Sequence, residues 1–376
     1  MRLNALLLIL LFVVTRGSFA ADPIADALQG HLRSSVSVFL DHHRETRRYQ
    51  NSDFPMAKTA HDRFRADMIS NMMRSLNLQQ WVVRDPHGKG SPIRSRFRDQ
   101  VLERKEIHGV AVEIHAVAIE PTGLIVPMVL CLPAKGDSVA GVAVFSGHTR
   151  HGLKDLVLDL DSYQQGVAIR LAKADLASIA VEKIDTGYLS RNGRDQVDEK
   201  EIATLLLGHT EVLRSHQLRA CLAAIEILAA HPRVDENRIG TTGVSLGGWL
   251  AVQTAMFNER VKAVADFGRK TRTVSNNMTA AAYQGQGDLC HIIPGMFAVA
   301  SRNIHPLVLA PLPMIAGHGL KDKGSHAEHV ENYRKLGEAQ YARLGASENY
   351  TYLVHAGGDT MPSADVIAWF KKTITK

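Results

Sequence analysis

Residues 231–257 read HPRVDENRIGTTGVSLGGWLAVQTAMF. The run Arg238–Ser245 is strand-like, and GGWLAVQTAM (247–256) is helix-like. Between them Gly243-Val244-Ser245-Leu246-Gly247 fits G-x-S-x-G. Glycines flank such a serine because its turn is strained and crowded, and neighbours without a Cβ let strand and helix approach each other. The turn holds the hydroxyl above the sheet edge and aims backbone N–H groups at a developing oxyanion. The pentapeptide alone is common by chance, and its placement between strand and helix makes it specific. Ser245 is therefore the candidate nucleophile, and Leu246 a candidate oxyanion donor through its N–H.

Working outward, short apolar strands alternate with longer helical stretches from about residue 140. The strands are GVAVF (141–145), LASIAVEKID (176–185), RIGTTGVS (238–245), VKAVADF (261–267), LPMIAGHG (312–319) and NYTYLVHA (349–356). Residues 215–230 form one intervening helix, with Leu218, Cys221, Leu222, Ile225 and Leu228 on a stripe. This alternation predicts an α/β chain with a mostly parallel sheet covered on both faces. Upstream, 107–120 and 123–134 alternate in hydrophobicity about Pro121-Thr122-Gly123 and predict a strand pair. DPHGKGSPIR (85–94) is a turn-rich break. Residues 22–80 look helical, with Met56, Ala60, Phe64, Met68, Met72 and Leu76 at i, i+4 steps expected to face the core.

The first twenty residues, MRLNALLLILLFVVTRGSFA, read as an export signal. A basic start leads into the apolar run Ala5–Val14, and small residues stand at −3 and −1 of a cut before Ala21. That run is shorter than the ~20 residues a spanning helix needs, so no stable membrane insertion is expected after cleavage. The reading is a secreted or periplasmic protein. Formal net charge is +6, and losing Arg2 and Arg16 lowers it by two. With the basic residues scattered, nucleic acid is not an expected partner. Cys131, Cys221 and Cys290 show no zinc-like spacing, and apolar neighbours favour buried thiols for Cys131 and Cys221. No metal or organic cofactor is implied.

From about residue 120 to 376 the chain resembles the α/β-hydrolase superfamily, and within it bacterial acetyl-xylan-esterase-like and dienelactone-hydrolase-like esterases. The elbow phrase HPRVDENRIGTTGVSLGG carries the resemblance. So do GDLCHIIPGM (287–296) and MIAGHGLKDKGSHAEHVENYRKLGEAQYARLGA (314–346). The resemblance implies an α/β-hydrolase domain over 106–376, preceded by a helical elaboration over 21–105. It places the triad acid at Asp322. The oxyanion loop matches FSGHTRHG (145–152) in part, which makes His148 and Thr149 candidates for lining the site.

In that family the catalytic histidine follows the Gly-Gly of the last loop. In YLVHAGGDTMP (352–362) that position is Asp359. An imidazole near pKa 6.5 takes and returns a proton at neutral pH. A carboxylate near 3.9 is a poor base unless its pKa is raised. His355, four residues earlier, is the preferred substitute, with His326 and His329 after the acid as others. The expected activity is serine carboxyl-ester hydrolysis on a small-molecule or carbohydrate ester, by resemblance a deacetylation. The rival readings are a non-catalytic binding protein of this fold and a peptidase of it.

Overall fold

The computed structural model describes residues 48–84, 92–190, 199–268, 289–291, 293–299, 305–322 and 327–375. The export-signal reading of 1–20 and the candidate His326 lie outside them. So does the side chain of His329.

A nine-stranded sheet carries the fold: β1 (Phe97–Ile107), β2 (Val110–Ile119), β3 (Leu124–Leu132), β4 (Val139–Phe145), β5 (Ala177–Val181), β6 (Val234–Val244), β7 (Val261–Phe267), β8 (Met314–Gly319) and β9 (Tyr350–His355). Their spatial order is β1-β2-β3-β5-β4-β6-β7-β8-β9. The β1–β2, β2–β3 and β3–β5 pairs are antiparallel, and the remaining pairs are parallel. The helices used below are α1 (Lys58–Ser75), α2 (Leu153–Val157), α3 (Val167–Lys173), α4 (Glu199–Gly208), α5 (Leu213–Ala230), α6 (Leu246–Phe257), α7 (Ala327–Arg343) and α8 (Ser363–Ile374).

Strand β4 shows why its sequence is apolar without a break. Ala143 and Phe145 join the core cluster under α1, α5 and α6, whereas Val142 and Val144 join the one under α2, α3 and α8. A strand covered on both faces has no solvent side to mark with polar residues. Phe64, Met68, Met72 and Leu76 of the expected stripe are buried. Met56 is also buried but precedes α1. Ala60 is exposed, and His61 and Ile69 are inside instead. The 3.6-residue helical period drifts off a strict four-residue count, which is the physical reason for that difference.

Strand β1 differs from the sequence reading, because residues 97–107 extend the sheet rather than continuing a helical region. Its exposed, charged face hides the apolar alternation that betrays β2. The three cysteines are buried and form no disulfide. Among the described residues no helix is long and apolar enough to cross a membrane.

Because β4 lies between β5 and β6, the chain reverses its winding direction there. Phe145 pairs with Gly243. The segments leaving β4 and β6, Ser146–His148 and Ser245, therefore emerge side by side at the carboxyl edge. That edge, at a switch point, is where open α/β sheets hold ligands.

Candidate active site

Ser245 joins β6 to α6 with φ 59° and ψ −121°. A non-glycine residue at positive φ is strained, and the surrounding packing must hold it there. Its amide donates to the Phe267 carbonyl at 2.8 Å. Gly247 allows the tight approach, since a Cβ there would stand 2.1 Å from the Phe145 carbonyl oxygen. Leu246, fully buried, opens α6. Its N–H lies in the first helical turn, where no intrahelical acceptor exists. Among the described residues the Ser245 hydroxyl has no hydrogen-bond partner.

The loop after β4 closes on the serine. A Cβ on Gly147 would lie 3.1 Å from Ser245 Cβ, 2.6 Å from the Val244 carbonyl oxygen and 2.5 Å from the Tyr163 hydroxyl. Tyr163 donates to the His148 carbonyl at 3.2 Å, and its own carbonyl accepts the Met361 N–H at 2.9 Å. Tyr163 thus links the loop after β4 to the last loop. Burial pushes its phenol well above the usual tyrosine range, so it stays a neutral donor. Thr149 turns inward, donating to Asp155 and accepting the His151 N–H. Its hydroxyl is engaged within the loop itself.

The His148 side chain turns away from that loop. Its Nε2 lies 2.8 Å from Glu199 Oε2 and 3.2 Å from Cys290 Sγ. The second Glu199 oxygen accepts the Cys290 N–H at 2.8 Å. Burial alone would raise the Glu199 carboxyl. The hydrogen bond and electrostatic attraction of His148, with the Cys290 amide and Lys183, outweigh it and bring the group down to about 2. Behind this cluster Lys183 and Asp185 form a buried ion pair. Sequence reasoning missed Glu199 and Tyr163, which carry no motif signal.

The acid loop and the last loop are zipped together by main chain. Leu320 N–H donates to the His355 carbonyl and Lys321 N–H to the Gly357 carbonyl, while Asp322 N–H turns back within the acid loop to the Gly319 carbonyl. Asp322 is buried, and its charge acts on both His318 and His355. His318 lies 3.2 Å from the Tyr352 hydroxyl.

His355 ends β9, where its Nδ1 accepts the Gly357 N–H at 3.2 Å and its ring packs edge-on to Phe267. Its Nε2 is buried without a partner among the described residues. Burial lowers its pKa, against the upward pull of Asp365 and Asp322. No hydrogen bond joins it to Ser245 among the described residues. Asp359 does reach the elbow. A Cβ on Gly268, the residue after β7, would lie 2.1 Å from Asp359 Oδ1 and 3.2 Å from the Ser245 amide nitrogen. Asp359, the residue after Gly357-Gly358, thus brings its carboxyl group beside the elbow.

Residues 186–295 match the Dienelactone hydrolase family. The Bacillus subtilis (strain 168) protein YtaP, provisionally named a hydrolase, is 26% identical over 172 residues, 46% of this chain and 56% of YtaP. The match thus spans little more than half of that relative. A Bacteroides fragilis NCTC 9343 structure provisionally described as an acetyl xylan esterase is similar at TM-score 0.69. It is 14% identical, over 90% of this chain and 94% of its own. A glucuronoyl esterase from Solibacter usitatus is similar at TM-score 0.53, with 12% identity over 82% and 91% of the two chains. Likeness at this identity shows architecture alone. The chain has the α/β-hydrolase fold and carries a dienelactone hydrolase family match across residues 186–295, the stretch that contains the Ser245 elbow.

Proposed function

We propose that this protein is an exported serine carboxyl-ester hydrolase acting on carbohydrate esters. The observation that carries the reading is Ser245 at φ 59° and ψ −121° on the strand–helix junction, a conformation outside the ordinary left-handed region that fits a strained nucleophile turn. In this reading Ser245 Oγ attacks the ester carbonyl, and Leu246 N–H with a main-chain N–H of the His148–Thr149 segment holds the oxyanion. The alkoxide leaves with the serine's proton, relayed by the base. Water then releases the acid and regenerates Ser245. The ester class is supported by the acetyl xylan and glucuronoyl esterases that share the fold.

The proposed base is His355, with Asp322 as its acid partner. The ring must exchange its Gly357 bond for Ser245, a tightening that apo catalytic sites commonly need. The test is hydrolysis of p-nitrophenyl acetate and of acetylated xylo-oligosaccharides by the mature chain, alongside Ser245→Ala. Wild-type activity at the Ser245→Ala background ends the proposal. N-terminal sequencing of the exported protein checks cleavage before Ala21.

A second reading, ligand binding without turnover, is favoured by Asp359. Its carboxyl group, against Gly268, stands beside the elbow at the sequence position where the resemblance implies an imidazole. That reading predicts saturable carbohydrate-ester binding by a wild type that hydrolyses no faster than Ser245→Ala.

A further inference from the structure

We propose that His148, Glu199 and Cys290 form a zinc(II) site. The three residues are far apart in sequence, on the loop after β4, at the first residue of α4 and in the 289–291 turn. Nothing in their spacing signals a metal motif, and only the fold brings them together. Their donor atoms all lie within 4.8 Å of one another.

The chemistry of the set is selective. A thiolate, an imidazole and a carboxylate suit zinc, whereas the all-oxygen shells of magnesium and calcium are not offered. Zinc bonds of about 2.0–2.3 Å put tetrahedral donors roughly 3.3–3.7 Å apart. The observed 2.8 Å and 3.2 Å approaches of His148 Nε2 need a spread of roughly half an ångström to admit the ion.

The ligands themselves balance the charge of the ion. One zinc(II) with the Glu199 carboxylate and the Cys290 thiolate is neutral overall, which a pocket walled by Leu246, Trp249, Ala203 and Leu213 tolerates. The positive charge of Lys183 is met by Asp185. Second contacts orient the donors, as metal sites require. Glu199 Oε1 accepts the Cys290 N–H at 2.8 Å, and Arg214 Nε donates to the Cys290 carbonyl at 3.0 Å.

Cys290 is fully buried, but the His148 side chain is 23% exposed. The ion enters on the His148 side, where water takes the fourth position. Binding balances by release of the Cys290 thiol proton to solvent, with the imidazole neutral and bound through Nε2. The filled site ties the loop that carries Gly147 to α4 and to the 289–291 turn. It does not depend on ester hydrolysis, so its test stands apart from that of the active site.

The mature full-length chain, purified without chelator or affinity histidines, is expected to retain roughly one zinc per chain by elemental analysis. After chelator stripping, cobalt(II) added to wild type should give visible d–d bands and a near-ultraviolet thiolate-to-cobalt band. Cys290→Ser should lose the thiolate band, and His148→Ala should weaken cobalt binding at least 10-fold. Wild type that neither retains zinc nor develops a thiolate band with excess cobalt overturns the proposal, leaving a hydrogen-bonded strut. A thiolate band that persists in folded Cys290→Ser overturns it too. The wild-type titration decides alone if the variants do not fold.

Discussion

Asp359 stands against Gly268 so closely that a methyl group at residue 268 would lie 2.1 Å from its Oδ1. Gly268 also has φ +66°, and its would-be Cβ lies 2.7 Å from Val244 Cγ2. Space and backbone both demand glycine between the last loop and the elbow. Gly268→Ala is expected to lower stability by about 1–3 kcal/mol through strain at that φ alone. It should also push Asp359 away from Ser245. Chemical denaturation checks the first effect; Ser245 labelling by a fluorophosphonate probe, altered from wild type, checks the second.

The base is tested by three single variants at pH 8, each checked for folding by circular dichroism. With His355 as base, His355→Ala should lower esterase activity about as much as Ser245→Ala, roughly 10³-fold or more, because members of one catalytic unit are not additive. Asp359→His should then add little. Under binding without turnover, His355→Ala changes nothing, and Asp359→His raises activity by restoring an imidazole at the elbow. An active wild type indifferent to His355→Ala removes His355 from the mechanism.

Glu182 gives a pH signature. Its carboxyl accepts the Leu153, Lys183 and Tyr188 N–H groups, fixing α2 and the 187–189 turn to the end of β5. Burial nevertheless raises its pKa to about 7. Between the ordinary carboxyl value and 7 the folded chain holds a proton that the unfolded chain has released. Stability from this group is therefore full below that window and falls as pH rises through it, by on the order of 3 kcal/mol. Urea midpoints from pH 4.5 to 7.5 should show the decline, and Glu182→Gln should flatten it whatever its absolute stability. A variant with the wild-type slope would falsify this assignment.

Glu226, on α5, is fully buried and accepts from Asn258 Nδ2 at 3.0 Å and Arg260 Nε at 3.2 Å. Removing only the acid takes one of two carboxylates, Glu226 and Glu236, from the buried Arg260 guanidinium. Glu226→Ala is expected to cost about 3–5 kcal/mol. A matched double replacement of Glu226 and Arg260 by apolar residues should cost less than that single change. Thermal denaturation of the two variants gives the comparison.

What was legible in the sequence follows from local rules. Gly243, Ser245 and Gly247 define a strained turn within five residues, so the elbow could be read directly. The parallel strands could be read because two-sided burial leaves them uniformly apolar, as in Val142–Phe145. Strand β1 could not, since one charged, solvent-facing strand looks like any polar segment until β2 pairs with it. Asp359 was visible as a departure from a resembled pattern, but its contact with Gly268 and nearness to the Ser245 amide needed the folded last loop. The His148–Glu199–Cys290 convergence had no sequence signal at all. Local backbone preference and hydrophobic period act over a few residues and are written in the chain. Which side chains meet at the carboxyl ends of β4, β6 and β7 depends on strand order and helix packing across hundreds of residues, and only the tertiary structure decided it.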